Sequence, residues 1–124
     1  MGVVSIVGSK HSFVAILQTG AIVAWGAITL SKTYLQPPPT LSNVVSVTAN
    51  DHAFAAIDAA GAVTAFGHPE GGGDVTHSTS DIRHFLTSGV IQLIANYAAF
   101  VALKKDGTMV TWGKVRHLSL AFAV

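Results

Sequence analysis

FVAILQTGAIVAWG, residues 13–26, decides the fold. It lies in a run from His11 to Ser31 that holds no Lys, Arg, Asp or Glu. A membrane-spanning helix needs about 20 predominantly apolar residues, and this run is long enough. The same residues also read as two short strands joined by a turn. The rest of the chain separates the two readings.

The stretch belongs to one of three copies of a repeat, the feature to seek before any other. VVSIVGSKHSFVAILQTGAIVAWG (3–26), VVSVTANDHAFAAIDAAGAVTAFG (44–67) and VIQLIANYAAFVALKKDGTMVTWG (90–113) align without a gap. Phe13, Phe54 and Phe100 correspond, and so do Gly20, Gly61 and Gly107. Trp25, Phe66 and Trp112 follow, and Gly26, Gly67 and Gly113 close each copy.

The turn differs in a telling way. LQTG (17–20) becomes DAAG (58–61) and KKDG (104–107). Each charge at the centre of a span would cost about 2.5–3.5 kcal/mol, whereas at a hairpin tip it stays hydrated. The shared Gly suits the left-handed position of a short loop with a bulge, where a Cβ would clash. The stretch is therefore a β-hairpin. Val, Ile, Phe and Trp fill both arms, as strands prefer. The arms are apolar on both faces, which implies sheets covered on both sides. Ala15, Ala24, Ala56, Ala65 and Ala102 recur among the large residues and let neighbouring sheets approach. VVSIV, VVSVT and VIQLI supply a further strand before each hairpin.

The fold class is thus mainly β, a single repeat domain over 1–124, with units of about 3–42, 43–88 and 89–124. Each unit is an antiparallel sheet of three strands, or four. Pro37, Pro38 and Pro39 favour an extended path between the first two units. The glycines 71–73 make a flexible turn. One short helix is expected near 79–87, capped by Thr79 or Ser80, with Asp81 in its first turn and Gly89 past its end. The apolar residues that close the sequence suit one more strand.

Composition bounds the function. Half of the 124 residues are hydrophobic and only 10% are charged, against an average of about 25%. Such a chain is too apolar for disorder, and its surface is suited to facing another protein or lying at a membrane. The net charge of +1 includes no basic block, so a phosphate-tracking nucleic-acid surface is not supported. With no cysteine, disulfides, thiolate zinc sites and thiol catalysis are excluded. MGVVSIVGSK lacks the basic region and long apolar core of a secretory signal, which makes an intracellular location the expectation over secretion. Gly2 invites N-myristoylation, but Ile6 stands where that motif wants Ser or Thr.

Val7-Gly8, then His11-Ser12-Phe13-Val14-Ala15-Ile16, Gly20 and Val23-x-Trp25-Gly26 resemble the repeat of the regulator of chromosome condensation family. The third copy, with Ala102-Leu103, Asp106-Gly107 and Val110-x-Trp112-Gly113, resembles it as well. The resemblance implies propeller blades, seven of which close a ring in that family. The activities of that family include nucleotide exchange on a small GTPase, chromatin docking and adaptor roles, and no motif for them carries over residue by residue. The Gly-Gln-Leu-Gly segment that usually follows Trp-Gly is missing, and only Gly71-Gly72-Gly73 is reminiscent of it. Propellers close with about four to eight blades, so three units leave a sheet face open at each end.

No catalytic constellation stands out. His68, His77 and His84, with Glu70, Asp74 and Asp81, match no zinc spacing and read as a polar connector. His11 and His52 share a repeat position that is Ala98 in the third copy, which suggests hydrogen bonding within the blade. GGGD (71–74) lacks the Lys-Ser/Thr of a phosphate loop and the spaced acids of a calcium loop. Ser12, Ser46 and Ser78 show no nucleophile elbow. Trp25, Phe66 and Trp112 read as blade packing rather than a ligand stripe. The expectation is a non-catalytic interaction or structural module without metal or cofactor. Its structural positions are Phe13, Gly20, Trp25, Gly26, Phe54, Gly61, Phe66, Gly67, Phe100, Gly107, Trp112 and Gly113. A protein partner or self-association is expected, with no nucleic acid and with membrane association only through a larger complex. Two alternatives stay open: an accessory subunit of a large assembly, membrane-bound assemblies included, and, by family analogy, a small-GTPase regulator.

Overall fold

Each copy of the repeat folds into three antiparallel strands, as its β-branched and aromatic residues favour. The computed structural model describes residues 2–26, 41–68, 71–73, 75, 82–114 and 121–123. The first sheet consists of β1 (Val3–Gly8), β2 (Ser12–Leu17) and β3 (Ile22–Gly26). The second consists of β4 (Val44–Ala49), β5 (Ala53–Asp58) and β6 (Val63–Gly67). The third consists of β7 (Val90–Ala95), β8 (Ala99–Lys104) and β9 (Thr108–Gly113), with β10 (Ala121–Ala123) beside β9 as a fourth strand. Residues 13–26 are thus a hairpin. Among the described residues no helix is long and apolar enough to cross a membrane.

The hairpins turn at their glycines. Gly20, Gly61 and Gly107 have φ of 83°, 80° and 89°, a region open to Gly and strained for other residues. Their amides donate to Leu17, Asp58 and Lys104 at 2.9, 3.0 and 3.0 Å, closing the same turn three times. A second glycine ends each hairpin, also at positive φ, and there a close approach adds to the requirement. A Cβ on Gly26 would lie 2.5 Å from the His11 carbonyl oxygen, and one on Gly67 would lie 2.7 Å from the Ala53 Cα. The strand ends are too close for any side chain.

Register repeats with the sequence. Phe13 sits opposite Trp25, Phe54 opposite Phe66 and Phe100 opposite Trp112. Each first strand carries a bulge at the same place, between Val3 and Ser5, Val44 and Ser46, and Val90 and Gln92. A bulge inserts one unpaired residue and re-aims the strand beyond it. The first strands lie next to one another, β1 against β4 and β4 against β7.

Two cores lie between the three sheets. Val14 and Ile16 of the first sheet pack on Val44, Val47, Phe54, Ala56 and Phe66 of the second. Ala53, Ala55 and Ile57, on the opposite face of the second sheet, pack on Val90, Phe100, Ala102, Val110 and Trp112 of the third. Ile82 and Leu86 complete that second core. Fully burying one such large side chain contributes about 1.5–3 kcal/mol.

The helix expected near 79–87 is reduced to one 3-10 turn, Arg83–Leu86. Four residues cannot sustain a cooperative α-helix, and Ile82, in the cap position, offers no side-chain hydrogen bond. Burial of Ile82 and Leu86 fixes the turn instead. Thr79, Ser80 and Asp81 lie outside the described residues, as do Pro37, Pro38 and Pro39.

Candidate functional site

In a strand, alternate side chains face opposite sides. On β2, Phe13 and Ala15 share one face, while Ser12, Val14 and Ile16 share the other. Val14 and Ile16 meet the second sheet. Phe13 therefore points away from it, onto a flank that no other sheet of the described residues covers. The equivalent face is covered twice elsewhere: Phe54 packs against the first sheet and Phe100 against the second.

Exposure measures the difference. Phe13 and Trp25 are each 46% exposed, whereas Phe54, Phe100 and Trp112 are 0% and Phe66 is 4%. Val3 is 53% exposed where Val44 and Val90 are 4%, and Ile6 is 61% where Val47 is 7%. Val23, 48% exposed, completes this leading flank. Val4, Val45 and Ile91 serve as an internal control, at 60%, 60% and 57%. They are exposed in every copy, so a missing neighbour is not the cause there. On the leading flank only the first copy is open.

The aromatic pairs are built alike in all three units. Phe13 stacks on Trp25 at 5.6 Å between ring centroids, Phe54 on Phe66 at 5.6 Å and Phe100 on Trp112 at 5.4 Å. The leading flank is thus a finished packing surface. An exposed aromatic pair of this size forgoes burial of the order of 1–3 kcal/mol per side chain.

The opposite, trailing flank belongs to the third sheet. Ile94 is 56% exposed, while its equivalent Val7 packs against the first core. Val101 and Leu103 are half-buried, whereas Val14, Ala55, Ile16 and Ile57 at the same two positions are buried.

The glycine-rich connector is not a loose turn. Gly71 and Gly72 are buried. The Gly72 carbonyl accepts a 3.0 Å hydrogen bond from the Trp112 indole nitrogen, and the Gly71 carbonyl accepts one of 2.6 Å from Asn50 Nδ2. These bonds seat the connector against the third sheet's aromatic pair.

The hydrogen bonding expected of His11 and His52 centres on the residue two places earlier. Asn50 Oδ1 accepts from the amides of His52 and Ala53 at 2.9 and 2.8 Å. Asn96 accepts from Ala98 at 3.1 Å, and the Ser9 hydroxyl lies 2.8 Å from that of Ser12. An alanine at position 98 is therefore no loss. His52 and His68 bring their rings to 6.1 Å, and His84 packs on Phe85 at 4.0 Å. Glu70, Asp74, His77 and Asp81 lie outside the described residues. Among the described residues no three metal-ligating side chains converge. A cleft of about 620 Å³ opens where the first loops of the units meet, lined in part by Lys10, Asn50, Asp51, Asn96 and Tyr97. Its Asn50 is fully engaged by the bonds above, and the Asp51 amide donates to the Tyr97 carbonyl at 3.1 Å.

No protein-family model and no curated protein sequence matches the chain. Solved structures do. Prp20p from Saccharomyces cerevisiae, studied for its binding to Gsp1p and histones, matches with a TM-score of 0.68 at 21% identity over 90% of this chain and 30% of its own. Yeast RCC1 (Prp20) bound to Kap60 gives 0.70 at 21% over 90% of this chain and 29% of its own. Human WBSCR16 gives 0.64 at 18% over 90% and 33%. The chain has the fold of these blade repeats in a divergent form, and it spans about 30% of the length of the Prp20p structure.

Proposed function

We propose that the chain is a non-catalytic interaction or structural module, one repeat domain of propeller-blade units, whose open flanks pack on partner proteins or on copies of itself. One observation carries this reading: Phe13 and Trp25 form the same stacked pair that is buried in the other two units, yet both are nearly half exposed. An apolar surface rimmed by its own repeat's geometry is a contact surface. The three structural neighbours share the fold, and the two yeast structures are of a protein that binds other proteins.

Affinity capture with the tagged chain tests the reading. Trp25→Asp should abolish the associations that the leading flank makes, while Lys10→Ala on the loop side leaves them intact. Associations unaffected by Trp25→Asp would refute it. The small-GTPase-regulator reading draws on the fold likeness alone, and a nucleotide-release assay with the chain is expected to show no acceleration.

A further inference from the structure

We infer that the leading flank is covered by the trailing flank of a second copy of this chain, in a head-to-tail contact. The inference rests on the interaction reading above and names the partner. The grounds are internal to the molecule. The contact already occurs twice within one chain: the trailing face of the first sheet holds the leading face of the second, and the trailing face of the second holds the leading face of the third. Among the described residues, the two faces left open are the remaining halves of that same pair. Val3, Ile6, Phe13, Val23 and Trp25 stand where the second and third sheets present their buried leading faces. Ile94, Val101 and Leu103 stand where Val7, Val14 and Ile16 receive one.

The backbone offers the same match. The Val44 amide donates to the Gly20 carbonyl at 2.9 Å and the Val90 amide donates to the Gly61 carbonyl at 3.0 Å. The Gly107 carbonyl is the third of the series and receives no backbone donor among the described residues. A second copy would bring the equivalent amide, that of its Val3, to this carbonyl. Such a contact is heterologous, with two different surfaces meeting.

Light scattering coupled to size-exclusion chromatography tests the contact with the full chain and two variants. Trp25→Asp breaks the leading flank and Ile94→Asp the trailing one. The wild type should run as an assembly of at least twice the chain mass at micromolar concentration. Each variant alone should be monomeric. An equimolar mixture should restore a one-to-one pair, because each variant keeps the flank the other lacks. Val23→Lys and Leu103→Lys replace the first variants should circular dichroism show either unfolded. A monomeric wild type overturns the inference, as does a mixture that stays monomeric. A self-contact between two leading flanks would leave Ile94→Asp associated on its own, which also overturns it. A monomeric wild type that still loses other partners on Trp25→Asp removes the second copy while leaving the interaction reading in place.

Discussion

The amide of Val90 donates a 3.0 Å hydrogen bond to the carbonyl of Gly61, tying the first strand of the third sheet to the hairpin turn of the second. The turn that reverses the chain is thus also a joint between neighbouring sheets. A Cβ on Gly61 would lie 2.7 Å from the Gly89 nitrogen and 2.8 Å from the Val90 nitrogen.

Gly61→Val therefore meets two penalties, a left-handed φ and a collision with backbone. A loss of about 3–5 kcal/mol is expected, at the upper end of single substitutions. Gly107→Ala meets only the first, since φ is 89° there and its carbonyl receives no backbone donor among the described residues, so about 1–2 kcal/mol is expected. Urea unfolding of both variants checks the difference.

Trp112→Phe and Trp25→Phe separate a covered aromatic from an open one. Trp112 is fully buried and its indole donates to Gly72. Its replacement leaves that carbonyl without a partner and opens a small void, for a loss of about 2–4 kcal/mol. Trp25→Phe should change stability by less than about 1 kcal/mol in monomeric protein. Denaturation midpoints decide, and equal losses would contradict the asymmetry.

Asn50→Ala should cost about 2–4 kcal/mol. It strands the amides of His52 and Ala53 and the carbonyl of Gly71 in a buried site. Asn96→Ala removes one hydrogen bond at an exposed position and should cost about 1 kcal/mol or less. Hydrogen exchange at the Ala53 amide offers a local readout, which should quicken only in the first variant.

Asp106 caps the third hairpin tip. Hydrogen bonds from the Thr108 hydroxyl and amide hold its carboxyl below the usual carboxylate range. The folded-state value is depressed, so the carboxylate favours the fold above its unfolded value of about 3.9 and loses that effect as pH falls through the folded one. Thermal unfolding of wild type and Asp106→Asn should differ most above about pH 4 and converge in more acidic solution. A constant difference down to about pH 2 would contradict this.

The hairpins and their glycines were legible because a turn at positive φ leaves a residue-level mark, and three aligned copies repeat it. Which flank is open was not. VVS stands at both 3–5 and 44–46, yet Val3 is exposed and Val44 is buried. The difference lies in what sits beside each sheet, which no local pattern encodes. The role of Asn50 was hidden for a similar reason. The recurring histidine drew attention, while the residue two places earlier varies as Ser9, Asn50 and Asn96 yet supplies a short polar side chain each time. Gly71 and Gly72 looked like slack because their contribution is carbonyl oxygens, which every residue possesses.

Past the bulge in each first strand, alternation fixes which side chains reach the core. Removing Thr48 would hand Ala49 to the opposite side of the second sheet, trading a greasy interior for whatever lies behind it. Copies of this module can therefore drift in side chains, and the linkers between them can lengthen or shorten. The stretch from first strand to closing glycine tolerates no such edit. The gapless alignment of the three copies, set beside their unequal linkers, is the trace that rule leaves in the sequence.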